Sequence, residues 1–356
     1  MLLLILVANG TTAWTQTFQV IHYFSPPQGY VSEDGLTTDP AGNLYGTTYE
    51  GGGSTNCGGN SGCGTVYKLL PQPTVCRTAL CYWSEVVTYA FANDGTYPES
   101  RVTFDSAGNL YGTTENGGEF DDGTVYELTP STGSWNESVV HSFLGPIGGD
   151  LYQPFSGVIL DSPGNVYGTG DGLQCGFRQE CGAVYEVNPV QGGWGYQFIH
   201  RFTQPGDGNF PAGAPIWDSA GNMYGATEGG DIGGNNGPVI WKLSPSSHGW
   251  TETILYTWPL GTPGGRGSLT MDPDGNFYGV QACYGDGNGS VFKLTNDNGV
   301  WVYSTLHQFS GLDGSYPNGS LVVDRNGNIF GTTTYGGLVT PQCSEGCGVV
   351  FEISQQ

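Results

Sequence analysis

The chain has 356 residues, of which 32 are acidic and 9 are basic, giving a formal net charge of −23 at pH 7. This balance argues against nucleic acid and anionic membrane surfaces as partners, because both would be repelled, and it favours cations, neutral glycans or basic surfaces. With 62 Gly, 21 Pro and only 12% charged residues, the composition predicts many short strands joined by tight turns, and therefore an all-β protein.

The N-terminus is the most apolar part of the chain. Leu2 to Val7 form an apolar run followed by small residues, which is similar to the end of an export signal although a basic segment is missing. The run is too short to span a bilayer. We therefore interpret residues 1–13 as the remnant of an export signal and predict a secreted or cell-surface protein, monomeric and without membrane insertion, in which residues 14–356 form one domain.

A hairpin of the form Asp-x-x-Gly-Asn recurs along that domain. Its six copies begin at Asp39, Asp105, Asp161, Asp218, Asp272 and Asp324. Their spacing of 52 to 66 residues suits four short strands with turns. In each unit one strand runs into the Asp, a second follows the Asn, a third follows a glycine-rich loop, and a fourth begins near a Trp.

The two ends of the chain complement each other. The last repeat stops on its third strand near Phe351, whereas the segment from Trp14 to Phe24 reads as a fourth strand with no repeat before it. A ring closed by this strand leaves no open edge. The sequence therefore predicts a six-bladed β-propeller of four-stranded blades, closed by the N-terminal strand pairing into the last blade.

The nine cysteines fit an oxidising compartment. Four local disulfides are expected, and Cys283 is left unpaired. The expected pairs are Cys57 with Cys63, Cys76 with Cys81, Cys175 with Cys181, and Cys343 with Cys347. Because these pairs lie in different repeats, their thiols are not expected to converge on a zinc ion.

No cofactor is predicted, and no metal-ligating residues are assigned. The stretch DPDGN at Asp272 is similar to the start of a calcium loop, but the equivalent turns lack its second acid and a Glu at the twelfth position is missing. Ca²⁺ therefore stays a weak alternative.

The repeat itself resembles a known family. The pattern G-x-L-x-x-D-x-x-G-N-L-Y-G-T-T, then a Gly-Gly loop, then G-T-V-Y-x-L, is similar to the Gloeo_Verruco (GloVer) tandem repeat of exported bacterial proteins, from about residue 15 to residue 356. The resemblance implies a propeller-like secreted or surface protein and carries no catalytic residues over to this chain.

Three acids stand out where the repeats stop copying each other. Ten residues after the hairpin Asp, three consecutive blades have Glu115, Asp171 and Glu228, whereas the others have Tyr49, Ala282 and Thr334. In a propeller, this position lies on the face that holds the mouth of the channel, the usual ligand site. The three acids are candidate catalytic residues that could divide general acid and base roles or bind a cation. The plain alternative is solvated loop acids.

Arg101 is the second exception. Four residues before the hairpin Asp, the other blades have a small residue: Gly35, Gly157, Ala214, Ser268 or Ser320. An arginine facing the channel could clamp a substrate carboxylate or neutralise neighbouring acids.

The loops entering four blades pair an acid with an aromatic residue. The pairs are Asp94 with Tyr97, Asp150 with Tyr152, Asp207 with Phe210, and Asp313 with Tyr316. Such pairs suit sugar binding, and the four aromatic residues are candidate substrate-binding residues, but Asp-Gly with a following Pro also makes a good turn. Four histidines, at 22, 141, 200 and 307, share one fourth-strand position and are interpreted as packing between sheets.

Three functions are compatible with these patterns. The first is an exported binding or scaffold protein that recognises a glycan or another extracellular polymer through the channel face. The second is a polysaccharide hydrolase or lyase that uses the three acids and Arg101. The third is a calcium-dependent lactonase or esterase, which the small and apolar inner strands disfavour. No local motif of a cofactor enzyme or serine hydrolase is present, so the sequence leaves open whether the protein is an enzyme.

Overall fold

The structure is a computed structural model, described here for the greater part of the chain. The described residues are 16–25, 28–32, 34–57, 62–71, 83–92, 95–152, 154–176, 179–204, 206–229, 237–281, 288–341 and 343–355. The predictions for residues 1–13, Cys76, Cys81, Asp94, Ala282 and Cys283 concern residues outside these ranges.

Six four-stranded antiparallel sheets follow one another along the chain, so the predicted six-bladed β-propeller is confirmed. Blades 1 to 3 have these strands, from the axis outward: β2 (Thr37–Thr38), β3 (Leu44–Thr48), β4 (Thr65–Leu70), β5 (Ser84–Ala90); β7 (Thr103–Phe104), β8 (Leu110–Thr114), β10 (Thr124–Ser131), β11 (Ser134–Ser142); β12 (Val158–Leu160), β13 (Val166–Gly176), β14 (Gln179–Val190), β15 (Gly193–Arg201). Blades 4 to 6 have these: β16 (Asn209–Trp217), β17 (Met223–Gly229), β18 (Val239–Ser246), β19 (Gly249–Thr257); β20 (Arg266–Met271), β21 (Phe277–Gln281), β22 (Ser290–Asp297), β23 (Val300–Gln308); β24 (Val322–Val323), β25 (Ile329–Thr333), β26 (Val349–Gln355), β1 (Gln16–Tyr23).

Two short elements lie outside the blades. A two-stranded ribbon joins β6 (Gly95–Thr96) to β9 (Asn116–Gly117), and a single helical turn, α1, spans Gly145–Gly148. No helix in the described ranges has the length and hydrophobicity needed to cross a membrane.

The ring closes as the sequence predicts. Strand β1 pairs antiparallel with β26, in a register that runs from Gln16 opposite Gln355 to Tyr23 opposite Val349. The first described strand of the chain therefore supplies the outer strand of blade 6. Closure removes the two exposed edges that an open array would have, and it couples the N-terminal segment to the last repeat.

The repeated hairpin is built by its aspartate. In blade 4, Asp218 Oδ1 accepts hydrogen bonds from the backbone N–H groups of Ala220 and Asn222, both at 2.9 Å, and Oδ2 accepts one from Asn222 Nδ2 at 2.6 Å. The Asn side chain donates to the Asp in all six hairpins, at 2.6 to 2.9 Å. The Asp and Asn of the motif are therefore turn formers, and the calcium-like stretch at Asp272 forms the same turn.

The Tyr-Gly pair of the second strand also has a packing role. The glycine lies under a large, fully buried aromatic residue of the third strand, and a Cβ on the glycine would come within 2.2 to 2.6 Å of that ring or its hydroxyl. The glycine keeps room for one ring in each blade. These glycine and ring pairs are Gly46 with Tyr67, Gly112 with Tyr126, Gly168 with Tyr185, Gly225 with Trp241, Gly279 with Phe292, and Gly331 with Phe351.

Neighbouring blades are linked by a ring of six side-chain pairs, which we call the inter-blade belt. Each pair joins the His or Tyr near the end of one fourth strand to a residue of the next fourth strand. Where the second residue is Glu the contact is polar, and where it is aromatic the rings stack. The pairs are His22 with Glu85, Tyr89 with Glu137, His141 with Tyr196, His200 with Glu252, Tyr256 with Tyr303, and His307 with Phe18. The four histidines that were predicted to pack between sheets each contact the fourth strand of the next blade in this way.

Two of the four expected disulfides lie within the described ranges and are confirmed, Cys57–Cys63 and Cys343–Cys347. Cys181 is also disulfide-bonded. The side chain of Cys175, its expected partner, lies outside the described part. The two bridges that are seen each close a loop between a second and a third strand, and so they stiffen loops on the channel face.

Candidate functional site

A depression of about 390 Å³ lies where the inner strands begin, at the mouth of the channel. We call it the mouth cavity. Its charged and aromatic lining residues are Asp34, Glu99, Phe155, Asp171, Phe210, Glu228, Arg266 and Tyr316, with Asn318 and several small residues between them. The cavity therefore offers carboxylates, one guanidinium and exposed ring faces within one concave surface.

One repeat position supplies most of the chemical variety of the mouth cavity. Six residues before the hairpin Asp, five blades have a different kind of side chain, and all five line the cavity: Glu99, Phe155, Ala212, Arg266 and Asn318. The hairpins are nearly identical in all blades, whereas this position is not. A rigid repeated scaffold thus presents a set of dissimilar side chains to one cavity, which is how binding sites on such scaffolds are made.

Asp34 closes the floor of the mouth cavity. Its side chain is buried, and Oδ1 accepts hydrogen bonds from Gly35 N at 2.6 Å and from Ser320 N and Oγ at 2.9 Å. Oδ2 accepts a hydrogen bond from Arg101 N at 2.9 Å. Donors from blades 6, 1 and 2 therefore meet on one carboxylate at the axis, and they satisfy a charge that would otherwise be costly to bury.

The inner strands approach each other closely at this level. A Cβ on Gly213 would lie 2.0 Å from Gly267, and a Cβ on Gly319 would lie 2.3 Å from Asp34 backbone. Only glycine permits such contact between neighbouring backbones. The channel is therefore constricted below the mouth cavity, and its two ends are separate surfaces.

Two of the three candidate acids share the mouth cavity. Asp171 and Glu228 both line it. Glu115 instead accepts a hydrogen bond at 2.5 Å from the hydroxyl of Tyr49, which occupies the same repeat position in blade 1. Burial and the adjacent Glu115 carboxylate raise the pKa of Tyr49, so this hydroxyl stays a donor.

Glu228 is held by an arginine from the next blade. Arg266 Nε lies 2.7 Å from Glu228 Oε1, and Nη2 donates to Oε2 at 2.8 Å, a bidentate arrangement. Arg266 Nη1 also donates to the Tyr316 hydroxyl at 2.9 Å, and the guanidinium carbon lies 5.3 Å from the centre of that ring. These contacts fix one wall of the mouth cavity across blades 4, 5 and 6.

Arg101 lies on the other side of the constriction. Its side chain lines a second cavity, of about 380 Å³, together with Trp217 and residues that lead into the hairpins. Nε is buried and has no hydrogen-bond partner among the described residues, and burial lowers the pKa of the guanidinium. The structure therefore places Arg101 apart from the mouth cavity, which has Arg266 as its arginine.

Three of the aromatic residues in the loops that enter the blades have a backbone φ in the left-handed region. Tyr97, Phe210 and Tyr316 all have φ between 55 and 59°, and Val31 at the same repeat position has φ of 60°. Non-glycine residues seldom adopt this left-handed region, and a β-branched residue does so least. The turn has a function in the fold, because the carbonyls of Val31, Tyr97 and Tyr316 accept the amide of the residue ten positions after the hairpin Asp, at 2.8 to 3.1 Å.

The four aromatic candidates face different surroundings. Phe210 and Tyr316 line the mouth cavity. Tyr97 stacks on Tyr49, with ring centres 4.6 Å apart, and its hydroxyl donates to the Cys57 carbonyl, so it faces an outer pocket. Tyr152 lies beside the site, with its amide bonded to the Asp171 carbonyl at 3.3 Å.

The described acids of the loops that enter the blades, Asp150, Asp207 and Asp313, lie close to histidines of the inter-blade belt. His141 Nε2 lies 3.3 Å from Asp150 Oδ2, and His307 Nε2 lies 3.0 Å from Asp313 Oδ2. Asp207 lies near both His200 and Glu252. Burial lowers the pKa of His200, whereas burial and the nearby Asp207 raise the pKa of Glu252 to about 7. These acids are therefore part of the blade junctions, outside the lining of the mouth cavity.

Sequence reasoning missed five residues that shape the site, namely Asp34, Glu99, Phe155, Arg266 and Asn318. The signal was the repeat position six residues before the hairpin Asp. Two blades have Phe155 and Arg266 at this position, whereas other blades have an acidic, small or amide residue there. Asp34 had a weaker signal, because the equivalent residues are all Ser or Gly.

Comparisons with solved structures agree with the fold. A protein of unknown function from Dyadobacter fermentans has a TM-score of 0.58 at 10% identity, covering 95% of this chain and 98% of its own. A candidate oxidoreductase (glucose dehydrogenase) from Thermus thermophilus has 0.54 at 15% identity, covering 95% and 100%. A candidate gluconolactonase has 0.51 at 10% identity, covering 96% and 92%. At these identities the likeness shows the fold alone.

The sequence comparisons are more specific about ancestry than about function. No curated protein matches the chain. The model of the Gloeobacter/Verrucomicrobia repeat matches twice, over residues 9–173 and 172–356, which together span almost the whole chain. The predicted family is therefore confirmed: the chain belongs to the Gloeobacter/Verrucomicrobia repeat family.

Proposed function

We propose that the protein is an exported binding protein whose mouth cavity holds a short stretch of a neutral or cationic glycan. The observation that carries this proposal is the lining of the mouth cavity, where ring faces alternate with carboxylates and an amide. Phe155 and Phe210 are 43% and 37% exposed, unlike the fully buried rings of the blade core. Exposed aromatic faces beside hydrogen-bond acceptors suit sugar rings, which have an apolar face and a rim of hydroxyls.

The charge of the mouth cavity selects among glycans. Four carboxylates line it, from Asp34, Glu99, Asp171 and Glu228, against one guanidinium, which is already paired with Glu228. A uronate or sulfated sugar would bring further negative charge into this site and would be repelled. Neutral sugars, or sugars with a free amino group, are favoured instead.

A glycoside hydrolase is the second candidate, and one observation favours it: Asp171 and Glu228 line the same cavity. The bidentate contact with Arg266 holds the Glu228 carboxylate in one place, as the role of nucleophile or electrostatic stabiliser requires. Asp171 would then be the general acid. A lyase that clamps a uronate with Arg101 is less well supported, because that guanidinium lines the second cavity.

The test is a screen of neutral, amino-sugar and uronate oligosaccharides, followed by calorimetric titration of the best ligand. Phe155→Ala should weaken binding about tenfold, or about 1.4 kcal/mol. Phe120→Ala is the matched control, because Phe120 is 49% exposed and is not among the lining residues of the mouth cavity. No binding in any class, or equal effects of the two variants, would refute the proposal.

The same ligand separates binding from hydrolysis. A binding protein returns the oligosaccharide intact after prolonged incubation, as judged by reducing-end release. If the ligand is cleaved and Asp171→Asn stops cleavage while keeping affinity, the hydrolase is the correct function.

A further inference from the structure

We propose that His200, Asp207 and Glu252 form a binding site for a first-row divalent metal ion, represented by Zn²⁺, at the junction of blades 3 and 4. One ligand atom from each residue lies within 4.8 Å of the other two. None of the three residues is among the residues that line the mouth cavity. The proposed metal site is therefore independent of the proposed glycan site.

The geometry differs from that of the other histidine pairs in the inter-blade belt. His22 Nε2 lies 2.9 Å from Glu85, and the His141 and His307 contacts with acids are also within hydrogen-bonding distance. His200 Nε2 lies 3.6 Å from Glu252 Oε2, too far for a hydrogen bond. A third ligand, Asp207, converges on this pair.

His200 Nε2 lacks a hydrogen bond, unlike the same atom of His22, His141 and His307. It is buried and has no hydrogen-bond partner in the described part of the chain. Glu252 Oε1 shares this condition with Glu85 Oε1, so the imidazole nitrogen is the atom that sets this junction apart. A buried polar atom without a partner calls for a physical explanation, and a bound ion is one. Asp207 is itself buried, at 3% exposure, so its carboxylate sits in a confined place.

The ligand set indicates the class of metal. One imidazole nitrogen with two carboxylate oxygens suits Zn²⁺ and its first-row neighbours, whereas Ca²⁺ prefers six to eight oxygen ligands. Bonds of about 2.1 Å place ligand atoms roughly 3 to 3.5 Å apart, so the three side chains need to close by about 1 Å. A bound ion would join the entrance loop of blade 4 to the outer strands of blades 3 and 4.

The test uses tag-free full-length protein with Cys283→Ser, since Cys283 is the cysteine that the sequence predicts to be unpaired and a free thiol would bind zinc on its own. After removal of metal with a chelator and of the chelator by dialysis, Zn²⁺ and Ca²⁺ are titrated separately by calorimetry. We expect one Zn²⁺ per chain, and at least 100-fold weaker Ca²⁺ binding. His200→Ala and Glu252→Gln should each weaken Zn²⁺ binding at least 100-fold.

Glu85→Gln is the matched control, because it alters an equivalent His–Glu pair to which the described residues add no third ligand, and it should leave Zn²⁺ binding unchanged. X-ray absorption of the zinc-loaded Cys283→Ser protein gives a readout that needs no folded His200 variant, and it should show imidazole and oxygen ligands. Absence of Zn²⁺ binding, Ca²⁺ binding stronger than Zn²⁺, equal loss in Glu85→Gln, or a first shell without imidazole would overturn the proposal.

Discussion

Arg266 of blade 5 and Glu228 of blade 4 form a bidentate ion pair across the blade boundary, with contacts of 2.7 and 2.8 Å. The guanidinium also reaches the Tyr316 hydroxyl of the next junction. One side chain therefore ties together three blades at the mouth cavity. The position of Arg266 explains how this wall of the cavity is held in place.

Replacing Arg266 by Ala should lower the free energy of unfolding by about 1 kcal/mol, because the pair is partly exposed and is screened by solvent. It should also leave carboxylates as the only charged groups that line the mouth cavity, and so should strengthen the preference of the cavity for cationic over neutral sugars. Urea unfolding checks the first effect and calorimetry the second. Arg325→Ala, at an exposed hairpin position, is the control, and an equal loss of stability there would contradict the role given to Arg266.

Replacing Asp218 by Ala should destabilise the protein by about 1–2 kcal/mol, since it removes the acceptor of several hydrogen bonds in one turn. Asp218 also accepts a hydrogen bond from the Tyr224 hydroxyl at 2.9 Å. Thermal unfolding is the measurement. Asp274→Ala, at an exposed position in the hairpin of blade 5, should change stability by less than about 0.5 kcal/mol. Similar melting temperatures for the two variants would show that the turn does not depend on its carboxylate.

Acid should destabilise the fold through the same turns. Burial opposes the charged form of Asp39, Asp218 and Asp272, but the hydrogen bonds from the turn outweigh it and lower the pKa of each carboxyl. A folded pKa below the unfolded value of about 3.9 stabilises the protein above that pH, and this stabilisation is lost as the pH falls through the folded pKa.

Urea unfolding between pH 6 and pH 2 measures this loss. Stability should decline steeply below about pH 4, and Asp218→Asn should make the decline shallower. Asp274→Asn controls for the change in net charge. Equal slopes for the two variants would contradict the assignment of the effect to the turn carboxylates.

The packing of the Tyr126 ring over Gly112 in blade 2 predicts opposite changes in stability for two substitutions. The Tyr126 hydroxyl is buried without a hydrogen-bond partner in the described structure, and blades 5 and 6 have Phe292 and Phe351 at this position. Tyr126→Phe should therefore be neutral or stabilising by up to about 1 kcal/mol. Gly112→Ala should destabilise by about 2 kcal/mol or more, because its Cβ would lie 2.4 Å from the Tyr126 oxygen. Calorimetric melting of both variants tests the packing, and a stable Gly112→Ala protein would contradict it.

The architecture could be predicted from the sequence because every blade repeats the same sequence pattern. The Asp-x-x-Gly-Asn turn and the strand patterns recur six times, and the Tyr-Gly pair recurs five times with Phe-Gly in blade 6, so an error in reading one repeat is corrected by the others. Ring closure followed from counting strands at the two ends. The pairing of β1 with β26 has the predicted connectivity.

The site was harder to predict, because the sequence does not show at which level of the axis the channel is constricted. Arg101 and Arg266 lie four and six residues before their hairpin aspartates, a difference of about 6.6 Å along a strand. The constriction at Asp34 lies between these two levels, so Arg101 faces the second cavity and Arg266 faces the mouth cavity. The close approach of backbones at Gly213 and Gly319 creates that constriction, a tertiary contact that the Ser and Gly residues of this repeat position permit but do not by themselves reveal.

The partners of the histidines in the inter-blade belt were missed for a related reason. His200 and Glu252 belong to different blades and are 52 residues apart, and each looks ordinary within its own repeat. Only the packing of two fourth strands brings them together with Asp207. Pairs of this kind become visible once the blades are placed side by side.

A crystal structure of the protein soaked with its best-binding oligosaccharide tests whether the mouth cavity binds glycan. We expect sugar density in the mouth cavity, with a ring against Phe155 or Phe210 and hydroxyls within hydrogen-bonding distance of Asp171 or Asn318. Density for the oligosaccharide at another surface, with only solvent in the mouth cavity, would contradict this expectation.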